Sequence, residues 1–381
     1  MNTKIPFNKP HITGKEVHYI YDAVASGHIS GNGKYSKLCQ RYFEERWGFK
    51  KTLLTTSCTD ALEMCALLLN IEPGDEVIVP SYTFVSTALA FVRQGARIVF
   101  ADSRSDNPGI DEDSIEDLIT GKTKVIVPVH YAGVACDMDK IMAIAAKHNL
   151  FVVEDAAQAV DSYYTGKDGI KRPLGSIGHL AAFSFHETKN IQAGEGGLLA
   201  INDEQFIARA EIIWEKGTNR AEFFRGEVNK YGWVDIGSSF LPSEVTAAFL
   251  WAQLEDLDKI QKRRIEIWDK YYSELSKLNS KKINLPNIPS NSTNNGHMFY
   301  IVCKTPEIRS QIITNLKKEE IYAVFHYLSL HKSQYYLNKH DGRVLSNADN
   351  YSDCLVRLPL FVDIENEQLN KISDLIRKFA V

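Results

Sequence analysis

No two of the six cysteines (Cys39, Cys58, Cys65, Cys136, Cys303 and Cys354) stand in a CxxC spacing, so the chain carries neither a zinc-ribbon pattern nor a disulfide scaffold. Reduced, mostly buried thiols in a cytoplasmic protein are the reading that follows. Apolar runs of membrane-spanning length are also missing; the run Val125–Val129 is only strand-sized. The opening MNTKIPFNKPHITGKE has no apolar stretch of the kind a signal peptide needs. Basic runs are absent too. With 44 Lys+Arg against 48 Asp+Glu the net charge is −4, and nucleic acid is not an expected partner. No G-x-G-x-x-G follows the first strand, which argues against a nicotinamide-binding Rossmann protein. Repeats and low-complexity segments are lacking.

What the chain does have is 381 residues, enough for a large α/β domain and a smaller one. From about Lys51 to Ile201, short apolar runs alternate with helical stretches. The strand candidates are Glu76–Val79, Ala96–Ala101, Lys124–Val129, Leu150–Glu154, Leu180–Phe185 and Gly197–Ile201. Most are continuously apolar, as strands covered on both faces are. Helices are expected at Thr59–Leu69, Thr87–Gln94, Asp113–Ile119 and Met138–His148. The alternation predicts a mostly parallel sheet with right-handed crossovers. Beyond Asp203 come a helix near Glu204–Lys216 and a polar, aromatic segment, Gly217–Phe240. One long helix capped by Ser243 is then expected. The tract Leu285–Gly296 is the most linker-like in the chain. After it, HMFYIVCK, a Gln311–Glu319 helix, a strand near Tyr322–His326 and a Glu365–Phe379 helix read as a small α+β domain. The expected division is 1–275 and 276–381.

Four segments should converge, because ligands of open α/β sheets bind beyond the carboxyl ends of the strands. Thr55–Leu62 places small and hydroxyl residues before an apolar helix, an anion site at a positive helix end, although Thr59 read alone is an N-cap. In LFVVEDAAQ, Asp155 stands at a strand end. It can pair with a protonated ring nitrogen or cap a helix. Phe84, in the Pro80–Thr87 loop, can stack on a flat ring or belong to the core. Phe183–Asn190 ends a strand and supplies Lys189 before a Gly-Glu-Gly-Gly turn. Lysine is the residue that makes a Schiff base with an aldehyde cofactor, though a single lysine is commonly just solvated. In this order the parts suit pyridoxal phosphate.

With those segments, GDEVIVPSYTFVST, VIVPVHYAGVAC, EKGTNR (Glu215–Arg220), Asp235–Ser239 and Trp251–Glu255, the sequence resembles the DegT/StrS family of sugar aminotransferases. The resemblance implies the type I, aspartate-aminotransferase-like α/β fold and pyridoxal 5'-phosphate as cofactor. It implies Lys189 as the Schiff-base lysine, Asp155 on the pyridine nitrogen, Gln158 near the phenolic oxygen and Phe84 on the ring. Cys58, Thr59 and Ser184 would hold the phosphate, and His186, Lys216 and Arg220 would meet substrate. Many relatives have glycine where Cys58 stands. Relatives also have Asn-Tyr-Arg where this chain has Ser238-Ser239-Phe240, so Ser239 is the candidate for the phosphate contact from a neighbouring subunit.

Within the family the resemblance is greatest to the enterobacterial common antigen branch, which aminates a dTDP-keto-deoxysugar with glutamate to give dTDP-4-amino-4,6-dideoxygalactose. The gluco product and a C3 aminotransferase are the alternatives, and a catalytically dead regulatory homologue is the non-enzyme one. A homodimer with active sites at the interface is implied as well. The lysine favours transamination over dehydration, for which relatives carry histidine there.

Overall fold

The computed structural model describes residues 4–380. Its centre is a seven-stranded sheet. In chain order the strands are β1 (Lys51–Thr55), β2 (Glu76–Pro80), β3 (Arg97–Ala101), β4 (Thr123–Ile126) and β5 (Phe151–Asp155). After a two-stranded ribbon, β6 (Tyr163–Thr165) and β7 (Lys171–Pro173), come β8 (Leu180–Ser184) and β9 (Gly197–Ile201). The spatial order is β1-β9-β8-β5-β4-β2-β3. All neighbours pair in parallel except β9, which runs against both β8 and β1. The mostly parallel sheet read from the sequence is therefore present, with one strand reversed.

The apolar runs form strands because both faces of the sheet are covered. Val77, Val79, Val153 and Ala182 belong to one hydrophobic core, and their neighbours Ile78, Val152, Ala181 and Phe183 belong to the other. The first core continues into the C-terminal region, where β10 (Ile283–Asn284), β11 (Phe299–Cys303) and β12 (Leu355–Leu358) make a three-stranded antiparallel sheet. Tyr271 and Trp268, on the Leu257–Ser276 helix, place their rings 5.0 and 5.4 Å from that of Phe299.

Several expectations need correction. The single long helix from Ser243 is two, Glu244–Glu255 and Leu257–Ser276, broken at Asp256 (φ −106°, ψ 12°). The break lets Leu254 and Leu257 both be buried, and Ser243 caps as expected by accepting from the Thr246 amide. In place of an Asp113–Ile119 helix there is only a 3₁₀ turn, Glu116–Leu118. Asp111 draws the Asp113 and Ser114 amides into a turn, and so short a segment cannot pay the nucleation cost of an α-helix. No strand forms over 322–326; Val324 makes an isolated bridge to Arg357. β1 is an addition to the strand candidates; of its five residues one is lysine and two are threonine, so it lacks the continuous apolar run of the others.

The tract Leu285–Gly296 is not a loose linker. The Thr165 amide donates to the Asn291 carbonyl at 2.7 Å, and the Tyr163 amide to Thr293 Oγ1 at 2.8 Å. Asn295 is fully buried and donates through Nδ2 to the carbonyls of Gln158 and Val160, at 2.8 and 2.9 Å. Its polar residues are spent on specific bonds to the β5–β6 region, which is why polarity alone misread it. Among the described residues no helix is long and apolar enough to cross a membrane.

Candidate active site

β1, β2, β5 and β8 point their carboxyl ends to one edge of the sheet, and the reversed β9 starts there. A cavity of about 640 Å³ opens at that edge. The loops that leave the four strands deliver Thr59, Phe84, Asp155 and Lys189 to its wall.

At the end nearest β1, the Cys58–Leu68 helix begins. Its N-cap is Ser57, whose hydroxyl accepts from the Asp60 amide at 3.1 Å. The capping role considered for Thr59 thus falls to Ser57, and Thr59 turns its hydroxyl toward Ser86 Oγ, 2.7 Å away. The first amides of a helix have no intrahelical acceptor and carry the positive end of its dipole, so those of Cys58 and Thr59 can receive an anion. Gly197 is required here. A Cβ on it would come within 2.3 Å of the Ser57 carbonyl carbon and 2.4 Å of the Cys58 nitrogen. Ser184, at the end of β8, completes this polar end of the cavity.

Asp155 closes β5, and no helix follows it, so it caps none. Its Oδ2 accepts from Thr87 Oγ1 at 2.7 Å and its Oδ1 from the Ala157 amide at 3.1 Å. Burial raises its pKa, while Thr87, Ala157 and Lys189 favour the charge. Lys189 follows β8. Desolvation lowers its pKa to about 8; Arg357 adds to the effect, while Cys58 and Asp155 oppose it. Gln158 is buried, accepting from the Ala132 amide at 2.6 Å and donating to the Tyr327 hydroxyl at 3.2 Å. Phe84 lines the cavity and leaves 55% of its surface exposed, a ring face available for stacking rather than one sealed in the core. His186 is half-buried, with Nδ1 2.9 Å from Thr188 Oγ1 and Nε2 3.7 Å from Glu195.

Pyridoxal phosphate suits these residues. The helix start with the Thr59, Ser86 and Ser184 hydroxyls offers donors for a dianion, Gly197 keeps that cradle open, and Asp155 offers a carboxylate for a protonated ring nitrogen. Lysine with a lowered pKa stands in the same cavity as an amine ready to attack an aldehyde.

The sequence matches the DegT/DnrJ/EryC1/StrS aminotransferase family over residues 10–377. The chain belongs to this family. The aminotransferase is 32% identical to SpsC, a spore coat polysaccharide biosynthesis protein of Bacillus subtilis, over 99% of this chain and 97% of that one. Its fold matches Spr1654 of Streptococcus pneumoniae, described as a sugar aminotransferase, in the PMP form (TM-score 0.90) and the PLP form (0.89). Identity there is 27%, over 99% of both chains. TlmJ of Streptoalloteichus hindustanus, an aminotransferase, matches with TM-score 0.90 and 26% identity over 99% of both chains. This protein is an enzyme, and pyridoxal phosphate is its cofactor.

Not every sequence candidate reaches the cavity. Cys58, Thr59, Phe84, Asp155, Gln158, Ser184, His186 and Lys189 all line it. Lys216, Arg220 and Ser239 do not; all three are exposed on the same face, where Glu215 bridges Ser239 and the Arg220 guanidinium lies over Phe224. Sequence reading passed over Ser57, Ser86, Thr87, His297 and Arg357. The hydroxyl-rich run Thr83–Thr87 held a signal for one of them, since Thr83 in the loop lies with its Oγ1 2.8 Å from Thr87 Oγ1 in the first turn of the helix that follows. His297 and Arg357 come from distant chain and carried no local signal.

Proposed function

We propose that this enzyme aminates C4 of dTDP-4-keto-6-deoxy-D-glucose to give dTDP-4-amino-4,6-dideoxy-D-galactose, with glutamate as amino donor. The observation that carries transamination is the meeting of Lys189 and Asp155 with the Cys58–Thr59 helix start in one cavity. The sugar is supported by the family match and by the resemblance over Glu215–Arg220 and Asp235–Ser239, segments that do not line the cavity.

The residues divide the work. The amides of Cys58 and Thr59, with the Thr59 and Ser184 hydroxyls, would hold the phosphate. Phe84 would cover the ring and Gln158 would lie at its phenolic oxygen. Bound pyridoxal phosphate supplies an electron sink and a carbon that carries the amino group between the two substrates. Asp155 would keep the ring nitrogen protonated through the attraction of its carboxylate. Lys189 Nζ would remove the proton from the donor α-carbon in the first half-reaction, and in the second, run in reverse, it would deliver a proton to the sugar carbon that receives the amine. Near neutral pH a lysine of ordinary pKa is almost wholly charged. The desolvated Lys189 keeps an appreciable neutral fraction.

The active form is a homodimer. Trp233 is 85% exposed, and Phe224, Tyr231, Val234 and Ile236 from the same stretch of chain are exposed too, apolar side chains that a partner surface would cover. In that arrangement Ser239 reaches the neighbour's cofactor phosphate, and Lys216 or Arg220 meets the diphosphate of the nucleotide sugar.

Incubating the purified enzyme with dTDP-4-keto-6-deoxyglucose and glutamate tests the reading. A small H3–H4 coupling in the product means an axial amine, as proposed. A large coupling means the gluco product, and an amine at C3 overturns the assignment of position.

A further inference from the structure

His297 enters the cavity from the chain just before β11, and its ring is held from behind. Asn190, the residue after Lys189, uses both hydrogens of its side-chain amide. Its Nδ2 donates to Gln261 Oε1 at 2.7 Å and to the Asn295 carbonyl at 2.9 Å. Asn190 Oδ1 is therefore an acceptor, and it lies 2.8 Å from His297 Nδ1. That contact requires the hydrogen on Nδ1. A neutral imidazole held this way carries a bare lone pair on Nε2.

Nothing near the ring favours a second proton. Burial, and then the charges of Lys189, Arg357, Arg264 and His326, hold its pKa well below the ordinary value. Among the described residues Nε2 has no hydrogen-bond donor. It is also not one of the sealed polar atoms that lack a partner. Since His297 lines the cavity, its free nitrogen opens onto that space. Lys189, in the same wall, makes no side-chain hydrogen bond among the described residues either. A bare acceptor and an amine without an acceptor thus share one cavity.

We propose that His297 is the positioning residue for Lys189: with the lysine side chain turned toward it, Nε2 accepts one N–H of the amine and leaves the nitrogen lone pair directed at the donor α-carbon. The inference rests on the reading of Lys189 as the proton shuttle. A free amine on a flexible stem presents its lone pair in many directions, and a fixed acceptor selects one of them. A neutral acceptor does this without adding charge beside Asp155. Asn190 sets the tautomer, which ties the residue after the lysine to the geometry of the lysine itself.

The variant that separates this role from simple support is His297→Asn. Its amide nitrogen can still donate to Asn190 Oδ1, while nothing replaces Nε2. Expected is an unchanged melting temperature, with the rate of the donor half-reaction lowered about 10-fold at unchanged donor KM, the size of one lost hydrogen bond. The isotope effect with α-deuterated donor should rise, because proton removal becomes more limiting. In the cofactor-free protein, the midpoint for acylation of Lys189, mapped by mass spectrometry across pH, should move below its value in the unmodified chain, since the ammonium loses an acceptor. The unmodified protein supplies a check that needs no variant. With ¹⁵N-labelled histidine, His297 Nε2 should resonate as an unprotonated nitrogen and shift in a step as Lys189 titrates near pH 8.

A protonated Nε2, or no step near pH 8, overturns the proposal. So does a His297→Asn variant with an unaltered half-reaction and an unaltered Lys189 midpoint. None of these measurements contains the sugar, so an error in the sugar assignment leaves them standing. Turnover by Lys189→Ala would instead remove the shuttle reading while leaving the tautomer as found.

Discussion

Thr87 Oγ1 donates to Asp155 Oδ2 at 2.7 Å, and Thr83 Oγ1 lies 2.8 Å from the same threonine oxygen. The hydroxyl pair comes from the loop and helix after β2, whereas the carboxylate ends β5, so the bond fixes one site group against another element. It also counters burial, which pushes the Asp155 pKa up.

Thr87→Val should therefore weaken the electron sink without touching any cofactor atom. A hydrogen bond to a charged group contributes about 1.5–3 kcal/mol, so kcat should fall roughly 10- to 100-fold. The acid limb of the kcat–pH profile should move up, because the carboxylate loses the donor that favours its charge. Thr87→Ser should restore most of both. Steady-state kinetics across pH checks this; an unmoved acid limb would detach Thr87 from the ring nitrogen.

Asp155→Asn removes the charge and keeps the shape. A loss on the order of 10²-fold or more in kcat is expected, by comparison with other electrostatic catalytic groups. Kinetics and thermal unfolding measured together separate this from a folding defect, since the amide oxygen can still accept from the Ala157 amide while the new N–H donates to Thr87 Oγ1.

Lys189→Ala should fold and bind pyridoxamine phosphate but show no turnover, because no other group both attacks the aldehyde and moves the proton. Product formation and the absorbance spectrum of the purified variant report on the two halves of that statement. Substantial transaminase activity would reassign the shuttle.

The pH dependence of cofactor uptake follows from the same lysine. Its folded pKa, about 8, lies below the ordinary 10.5, so in the cofactor-free protein the neutral amine grows in as pH rises through about 8. The rate of pyridoxal phosphate uptake should rise over that range and level off above it. The folded chain binds fewer protons than the unfolded one between those two values, so this group adds stability as pH rises there. Stopped-flow absorbance on the cofactor-free protein gives the midpoint; one near 10.5 would mean that the ammonium is solvated.

Sedimentation should show a dimer, and Ser239→Ala should weaken cofactor retention modestly, about as much as one hydrogen bond. Dialysis against buffer followed by absorbance measures that loss. A fully active monomer would place the exposed Trp233 surface in some other contact.

How far the sequence was legible depended on range. β2, β5, β8 and β9 were readable because a strand buried on both faces must be apolar along its whole length. Lys189 and Asp155 were readable because each directly follows or closes such a strand. Ser57 was displaced by Thr59 in that reading because either hydroxyl fits the start of an apolar helix, and only the backbone decides which of them is half outside it. Leu285–Gly296 looked like a tether because the bonds made by Asn291, Thr293 and Asn295 have partners more than a hundred residues away. His297 and Arg357 escaped for the same reason. Their surroundings exist only after the C-terminal sheet has packed against the larger one.

The bonds from Asn295 to the Gln158 and Val160 carbonyls carry a consequence for how the enzyme breathes. A swing of the C-terminal sheet pivoting on residues 285–296 would pull directly on Gln158, and through it on the amide of Ala132 and the hydroxyl of Tyr327. Gln158 and Tyr327 line the pocket, so that pivot is clamped by the pocket it would have to open. What can give way one side chain at a time is the exposed lining, Phe84, Glu195, Phe325 and Leu328.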